Sequence, residues 1–283
     1  MSAISHTPEV RRARPLLGTF VEIAAGGIAA QRLPRAIDRA FAAIERVQRL
    51  MSFHEKTSEL ARLNREACKH PVPVHAETYE VLRAATRIAS ATRGLFDCTI
   101  APFLMGWGYL PSRGAGACHG SGTWKDIQLL PKRRVRFTQP LCLDLGGIAK
   151  GFAVDQAIAV LQAEGVPHGC VNAGGDLRVF GKRAHPVYVR APADPGRLLP
   201  LGCVRDMAVA TSAAYFSTRQ RRNRSVSPLV HPILREPFLG RWSVSVLAPS
   251  CMMADALTKA VMFSASCPAA ILGQFQATAV ILA

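Results

Sequence analysis

Three observations predict an α+β fold with mixed, largely antiparallel sheets flanked by helices. Strand-like and helix-like runs are mixed along the chain without the strict βαβ alternation that a parallel sheet requires. A chain of 283 residues, 49% hydrophobic and 19% charged, has the length and composition of a soluble globular protein with a well-buried core. No internal repeat and no long linker divides it, so residues 1–283 are expected to form one domain, with residues 1–13 flexible.

Taken in order, residues 16–24 read as a first strand with Gly18-Thr19 inside it. Residues 33–50 form the clearest amphipathic helix, because Leu33, Ile37, Phe41, Ile44, Val47 and Leu50 recur at helical spacing. Residues 51–54 break that pattern, and residues 58–64 begin a short helix with Ser58 as N-cap. A third helix over 78–92 is closed by Gly94. Residues 111–123, rich in Gly, Ser and Ala, read as a loop. Strands are expected over 128–137 and 141–145, then a helix over 152–164 stopped by Gly165. Further strands fall at 187–190, 208–210 and 243–247, followed by a helix over 253–263. The uncharged stretch 264–283 contains Pro268, Gln274 and Gln276, and reads as a short helix and a closing strand rather than a membrane span.

The net charge of +16 includes a cluster at Arg219, Arg221, Arg222 and Arg224. It favours anionic partners, although a solvated surface explains it as well. Aromatic residues are 7% and no nucleic-acid motif is present, so no nucleic-acid partner is expected. None of the eight cysteines forms Cys-x-x-Cys or pairs with His at zinc spacing. Cys142 and Cys170 lie in apolar runs and read as small buried residues. A reducing compartment without disulfides is the expectation. Residues 1–14 lack an apolar signal core, which agrees with a cytoplasmic location.

The chemistry concentrates in Leu143-Asp144-Leu145-Gly146-Gly147-Ile148-Ala149-Lys150-Gly151-Phe152-Ala153-Val154-Asp155 and, one helix later, Val171-Asn172-Ala173-Gly174-Gly175-Asp176. Small residues let a ligand lie against bare backbone. An acid and a lysine in the same turn supply a hydrogen-bond acceptor and a counter-charge, and a nucleotide suits both. The block is neither a dinucleotide fingerprint nor a P-loop, since it lacks Gly-x-Gly-x-x-Gly and Lys150 is followed by Gly151. A structural helix start with Asp155 facing solvent is the plainer alternative. In Gly94-Leu95-Phe96-Asp97-Cys98-Thr99, Phe96 offers a stacking face and Asp97 an acceptor, as would any plain turn. In Asp255-Ala256-Leu257-Thr258-Lys259, an acid and a nearby hydroxyl on one helix suit a hard cation such as Mg2+, although capping and a surface lysine explain the run equally well. His231 precedes Pro232, and packing explains a lone histidine as readily as catalysis.

Together, and in this order, these motifs resemble the ApbE-like flavin transferases over residues 14–279. The series runs through Leu17-Gly18-Thr19, Met51-Ser52-Phe53 with Ser58-Glu59-Leu60 and Asn64, and residues 94–99. It continues through the two Gly-Gly blocks, Ala210-Thr211-Ser212 with Tyr215, His231, and Ala254-Asp255-Ala256-Leu257. The resemblance implies an ApbE-like (T-fold-like) architecture and a Mg2+-dependent FAD:protein FMN transferase. Such an enzyme moves FMN from FAD to a Ser or Thr hydroxyl of a target protein and releases AMP. It implies that Leu17, Phe53, Leu95, Phe96, Asp97, Asp144 and Lys150 line the FAD site. It also implies that the Gly147 turn, Asp255 and Thr258 hold the metal, and that His231 is the base.

Three departures from the family pattern stand out. The family's Thr four residues after the metal-binding Asp is Lys259 here, and Thr258 sits one residue early, about 100° around the helix. The family's His-x-x-Asp-Pro-x-Thr-Gly segment is reduced to His231-Pro232-Ile233-Leu234-Arg235-Glu236-Pro237, and the Gly after Thr-Ser is Ala213. The flavin pocket is therefore expected intact. The metal and acceptor sites leave room for a catalytically weakened FAD-binding paralogue or an FAD pyrophosphatase.

Overall fold

A computed structural model describes residues 9–112, 121–194, 196–264 and 269–283. Its frame is an antiparallel seven-stranded sheet in the order β1-β2-β6-β7-β10-β15-β16. These strands are β1 (Val10–Leu16), β2 (Thr19–Gly26), β6 (His168–Ala173), β7 (Asp176–Phe180), β10 (Ala208–Ala213), β15 (Ser243–Ala248) and β16 (Thr278–Leu282). A three-stranded sheet joins β3 (Val72–Pro73), β4 (Ile127–Leu130) and β5 (Arg134–Phe137). Three hairpins complete the strands: β8 (His185–Arg190) with β9 (Leu198–Val204), β11 (Arg219–Arg221) with β12 (Arg224–Val226), and β13 (Val230–His231) with β14 (Glu236–Pro237).

The helices are α1 (Leu33–Met51), α2 (Glu59–Glu66), α3 (Ala76–Ala91), α4 (Ala101–Gly106), α5 (Ala149–Ala163), α6 (Cys251–Met262) and α7 (Ala269–Gln274). The apolar stripe of α1 buries Leu33, Ile37, Phe41, Ile44 and Val47, as its periodicity predicts. α5 lies between α1 and α6, and the three helices cover one face of the large sheet. The opposite face carries a smaller apolar cluster of Cys170, Leu177, Val179 and Val209, closed by Val187 and Val204 of the β8–β9 hairpin. Among the described residues, no helix is long and apolar enough to cross a membrane.

Several expectations change. The strand over 16–24 is the second arm of a hairpin. Leu17 and Gly18, both at positive φ (56° and 72°), form a two-residue turn between Leu16 and Thr19. Residues 10–13, expected to be flexible, pair with β2 along β1. The strand over 128–137 folds back on itself at Lys132 and Arg133, both at positive φ, to give β4 and β5. Residues 141–145 are extended but join no sheet. Instead the Asn64 amide clamps Leu143, accepting from its N–H (2.8 Å) and donating to its carbonyl (3.0 Å). That clamp satisfies backbone groups a ladder would otherwise take. Residues 113–120 of the expected loop lie outside the described residues. Cys142 is disulfide-bonded, contrary to the expectation of free thiols. Cys68, Cys98, Cys170, Cys203 and Cys251 are free.

Candidate active site

Helix α5 and helix α6 cap each other. Asp155 of α5 accepts the first amides of α6, from Cys251 and Met252 (both 2.9 Å). Asp255 of α6 returns the contact, accepting the Gly151 amide of α5 at 3.2 Å. Orphan donors at both helix starts are thereby satisfied by carboxylates, which the helix dipoles also favour. Asp155 does not face solvent, the alternative the sequence left open: it also pairs with Arg178 at 2.8 Å. Gly151 is a packing glycine rather than a ligand-facing one. A Cβ there would meet the Cys251 carbonyl at 2.2 Å, so only Gly lets the two helices approach this closely.

Above this crossing, Gly146, Gly147, the first turn of α5 (Ala149 and Lys150) and Lys259 of α6 form the floor of a cavity of about 830 Å³, within the range of small-molecule and cofactor sites. The wall beside the floor is made by two hairpin tips, Leu17-Gly18 and Gly174-Gly175, of which Leu17, Gly18 and Gly174 face the cavity. Gly174, at φ +66°, packs against Thr19, where an added Cβ would stand 2.5 Å from the hydroxyl. The Leu17 amide is fixed by the Gln48 side chain at 2.7 Å. Phe53, Leu95 and Phe96 supply apolar lining, and Phe53 and Phe96 are almost completely buried.

The structure brings all seven residues predicted for the flavin dinucleotide to this cavity: Leu17, Phe53, Leu95, Phe96, Asp97, Asp144 and Lys150. The Asp97 carboxylate is occupied locally, accepting the Thr99 amide (2.8 Å) and hydroxyl (2.9 Å), and burial pushes its pKa up. Asp144 accepts the Gly146 amide at 3.2 Å and is likewise pushed up by burial. Lys150 pairs with Asp176 of the second Gly-Gly turn. Burial works against the Lys150 ammonium, but the Asp176 and Asp255 carboxylates outweigh it and raise its pKa.

Of the three residues predicted for a metal, Gly147 lines the cavity while Asp255 and Thr258 are buried beneath it, and Gly147 and Asp255 meet around a lysine. The Lys259 ammonium donates to the Asp255 carboxylate and, at 2.9 Å, to the Asp255 carbonyl. Asp255 is fully buried, and burial would raise its pKa, but the Lys259 and Lys150 ammoniums hold it below the ordinary carboxylate range. A side chain added to Gly147 would touch Lys259 Cε at 3.4 Å, so the lysine stem covers that turn. The Thr258 hydroxyl is turned away, bonded to the Asp255 carbonyl and to Ser212 (both 2.7 Å). Among the described residues no three His, Cys, Asp or Glu side chains are grouped to hold a metal. Both oxygens of the Asp255 carboxylate are engaged, one by the Lys259 ammonium and the other by the Gly151 amide, so the carboxylate as it stands does not fit a resident divalent cation, which would have to bond one of them directly.

His231 stands at the rim. Its neighbours Val230 and Pro232 line the cavity, and its ring packs against Phe263, another lining residue, at 5.2 Å. Burial lowers its pKa, and Nδ1 accepts the Leu234 amide at 3.2 Å. A neutral ring held this way carries its proton on Nε2.

Sequence reasoning missed Gln48 and Tyr109. Gln48 is a polar side chain beside the apolar stripe of α1, a visible but weak signal. Tyr109 also lines the cavity, and its hydroxyl lies 2.6 Å from the Ser217 carbonyl and 2.9 Å from that of Val226, tying the β11–β12 hairpin to the mouth. Nothing in the local sequence marks that long-range contact.

A seven-stranded antiparallel sheet backed by helices, with a Gly-Gly cradle, an apolar wall and two lysines around one cavity, defines an α+β protein with a candidate small-molecule site. The ApbE family model matches residues 17–280, and the chain belongs to that family. A FAD:protein FMN transferase of Vibrio cholerae is 29% identical over 278 residues, covering 90% of this chain and 81% of the relative. One of Treponema pallidum is 27% identical, covering 89% and 78%. Among solved structures, the flavin transferase ApbE from Vibrio cholerae superposes with a TM-score of 0.80 at 26% identity, covering 97% of this chain and 93% of that one. The ApbE protein from Thermotoga maritima gives 0.80 at 28% identity, covering 97% and 94%.

Proposed function

We propose that this protein is a FAD:protein FMN transferase, moving FMN from FAD to a Ser or Thr hydroxyl of a target protein with release of AMP. The observation that carries this reading is the cavity itself. An apolar wall of Leu17, Phe53, Leu95 and Phe96 stands beside a floor of Gly146, Gly147 and Lys150, in a chain whose relatives bear that activity in their names. The apolar wall suits an isoalloxazine ring and the floor suits a diphosphate.

In the proposed reaction the acceptor oxygen attacks the phosphorus of the FMN half. One P–O bond forms, the bridging P–O bond to the adenylate breaks, and AMP leaves with the electron pair. Phosphoryl transfer of this kind depends mainly on positioning and charge neutralisation. Lys150, held by Asp176, offers the remaining N–H donors of its ammonium to the phosphate. His231 is the proposed base for the acceptor proton. Because Nδ1 accepts the Leu234 amide, the ring must give up that contact before it takes a proton. The Mg2+ that the family resemblance implies would have to displace Lys259 from Asp255.

The test is incubation with FAD and a protein bearing a Thr-containing flavinylation site. AMP equal to the covalent flavin on that protein, lost when the acceptor Thr becomes Ala, is the expected result. Free FMN and AMP without labelled protein would mean a pyrophosphatase, and bound FAD without AMP a flavin-binding paralogue.

A further inference from the structure

We propose that Lys259 is a built-in cation: with Lys150 it forms a metal-independent subsite for the diphosphate of the bound dinucleotide. The two ammonium groups flank the same glycine turn. Lys150 lies in the first turn of α5, three residues after Gly147, and the Lys259 stem lies over Gly147 from α6. Both lysines line the cavity. An ammonium has three donors. Lys259 uses two on Asp255, through the carboxylate and the carbonyl, and Lys150 is held by Asp176. Each therefore keeps at least one donor for a ligand while its position is fixed by a buried acid.

The arrangement also says why a divalent ion is not needed here. Asp255, fully buried, has one carboxylate oxygen on Lys259 and the other on the Gly151 amide. The helix pair itself depends on that second contact. A cation could reach Asp255 only by expelling the ammonium, leaving Lys259 without its acid, and Thr258 could not help because Ser212 holds its hydroxyl. A lysine in this place supplies one positive charge tethered to the chain, where a bound ion would supply two that exchange with solvent. The subsite is an anion site whatever its ligand; only the identification of that anion as the diphosphate of FAD rests on the transferase reading.

The test uses the whole chain and two probes, FAD followed by flavin fluorescence and inorganic pyrophosphate followed by calorimetry, each in EDTA and in Mg2+. Wild-type affinity for both should be the same within about twofold with chelator and with Mg2+. The Lys259→Met/Asp255→Asn double variant removes the pair without leaving a lone buried charge. It should lose about tenfold or more for both probes in EDTA, the size of one charge-assisted contact, and should bind riboflavin as the wild type does. Lys259→Arg, which keeps the charge, should retain chelator-resistant binding. Wild-type FAD binding that collapses in EDTA, or a double variant that binds pyrophosphate unchanged, would overturn the proposal. Lysine-dependent pyrophosphate binding with no FAD binding would leave the subsite standing and remove the transferase reading instead.

Discussion

The floor and the rim of the cavity are built by opposite means. The floor is made of long elements, α5 and α6, joined by two reciprocal aspartate caps; Lys150 ties α5 to Asp176 of β7, and Lys259 pairs with Asp255 within α6. The rim is made of strands two or three residues long, β11 to β14, with exposed arginines and the half-buried His231. In the floor, the groups that would touch the ligand also hold the fold together. At the rim they are nearly independent of it. Substitutions in the floor should therefore change stability and binding together, whereas those at the rim should separate chemistry from folding.

The largest effect on stability is expected from Asp255→Ala. It uncaps α5 and strands Lys259, whose side chain is only 16% exposed. Breaking one side of a buried pair typically costs 3–5 kcal/mol, so denaturant unfolding should show a loss of about that size. At the rim, His231→Gln should reduce kcat by about 100-fold if the ring is the base, with unfolding stability lowered by only about 1 kcal/mol, the size of the one hydrogen bond from Leu234. An equal loss of stability in both variants would erase the contrast.

Gly151→Ala comes next. The added methyl meets the Cys251 carbonyl, and overpacking of this kind costs about 1–3 kcal/mol. FAD affinity should fall with it, because α6 carries Lys259. The pH dependence sharpens the rim side. Burial lowers the His231 pKa, so the neutral ring persists below about pH 6.5, the unperturbed value. Its contribution to stability is complete above that pH and is lost as pH falls through the lowered folded pKa. The rate should fall along the same limb, which His231→Gln should abolish. The smallest effect is a gain. Arg222 and Asn223 form the β11–β12 turn at φ 45° and 62°, and Arg222→Gly should add about 0.5–1 kcal/mol by relieving left-handed strain.

The same division decides what the sequence reveals. Helices α1 and α2 were legible from the spacing of Leu33 to Val47 and from Ser58, whose hydroxyl accepts the Ala61 amide as an N-cap should. The floor was legible because Gly-Gly turns, Asp144 and Lys150 fall close together in the chain. The roles of Gly151 and Asp155 were not legible, because each answers to α6, about a hundred residues away, and no local pattern carries that contact. The β1–β2 hairpin was read as one strand because its turn contains Leu17, a residue that rarely adopts positive φ. Residues 141–145 looked like a strand because they are mostly apolar, but the side chain of Asn64 takes the backbone hydrogen bonds of Leu143, and the Asp144 amide goes to the Cys98 carbonyl. At the rim, His231 and the arginine cluster at Arg219, Arg221, Arg222 and Arg224 could be singled out, while Tyr109 gains its place through contacts with Ser217 and Val226 that no spacing announces.

The most direct measurement is a crystal structure of the chain with FAD, grown in Mg2+. The diphosphate should lie over Gly146 and Gly147 between the Lys150 and Lys259 ammoniums, with the flavin against Phe53 and Phe96 and Asp255 still paired to Lys259. A Mg2+ ion on Asp255 with Lys259 swung away, or FAD bound outside this cavity, would contradict the account.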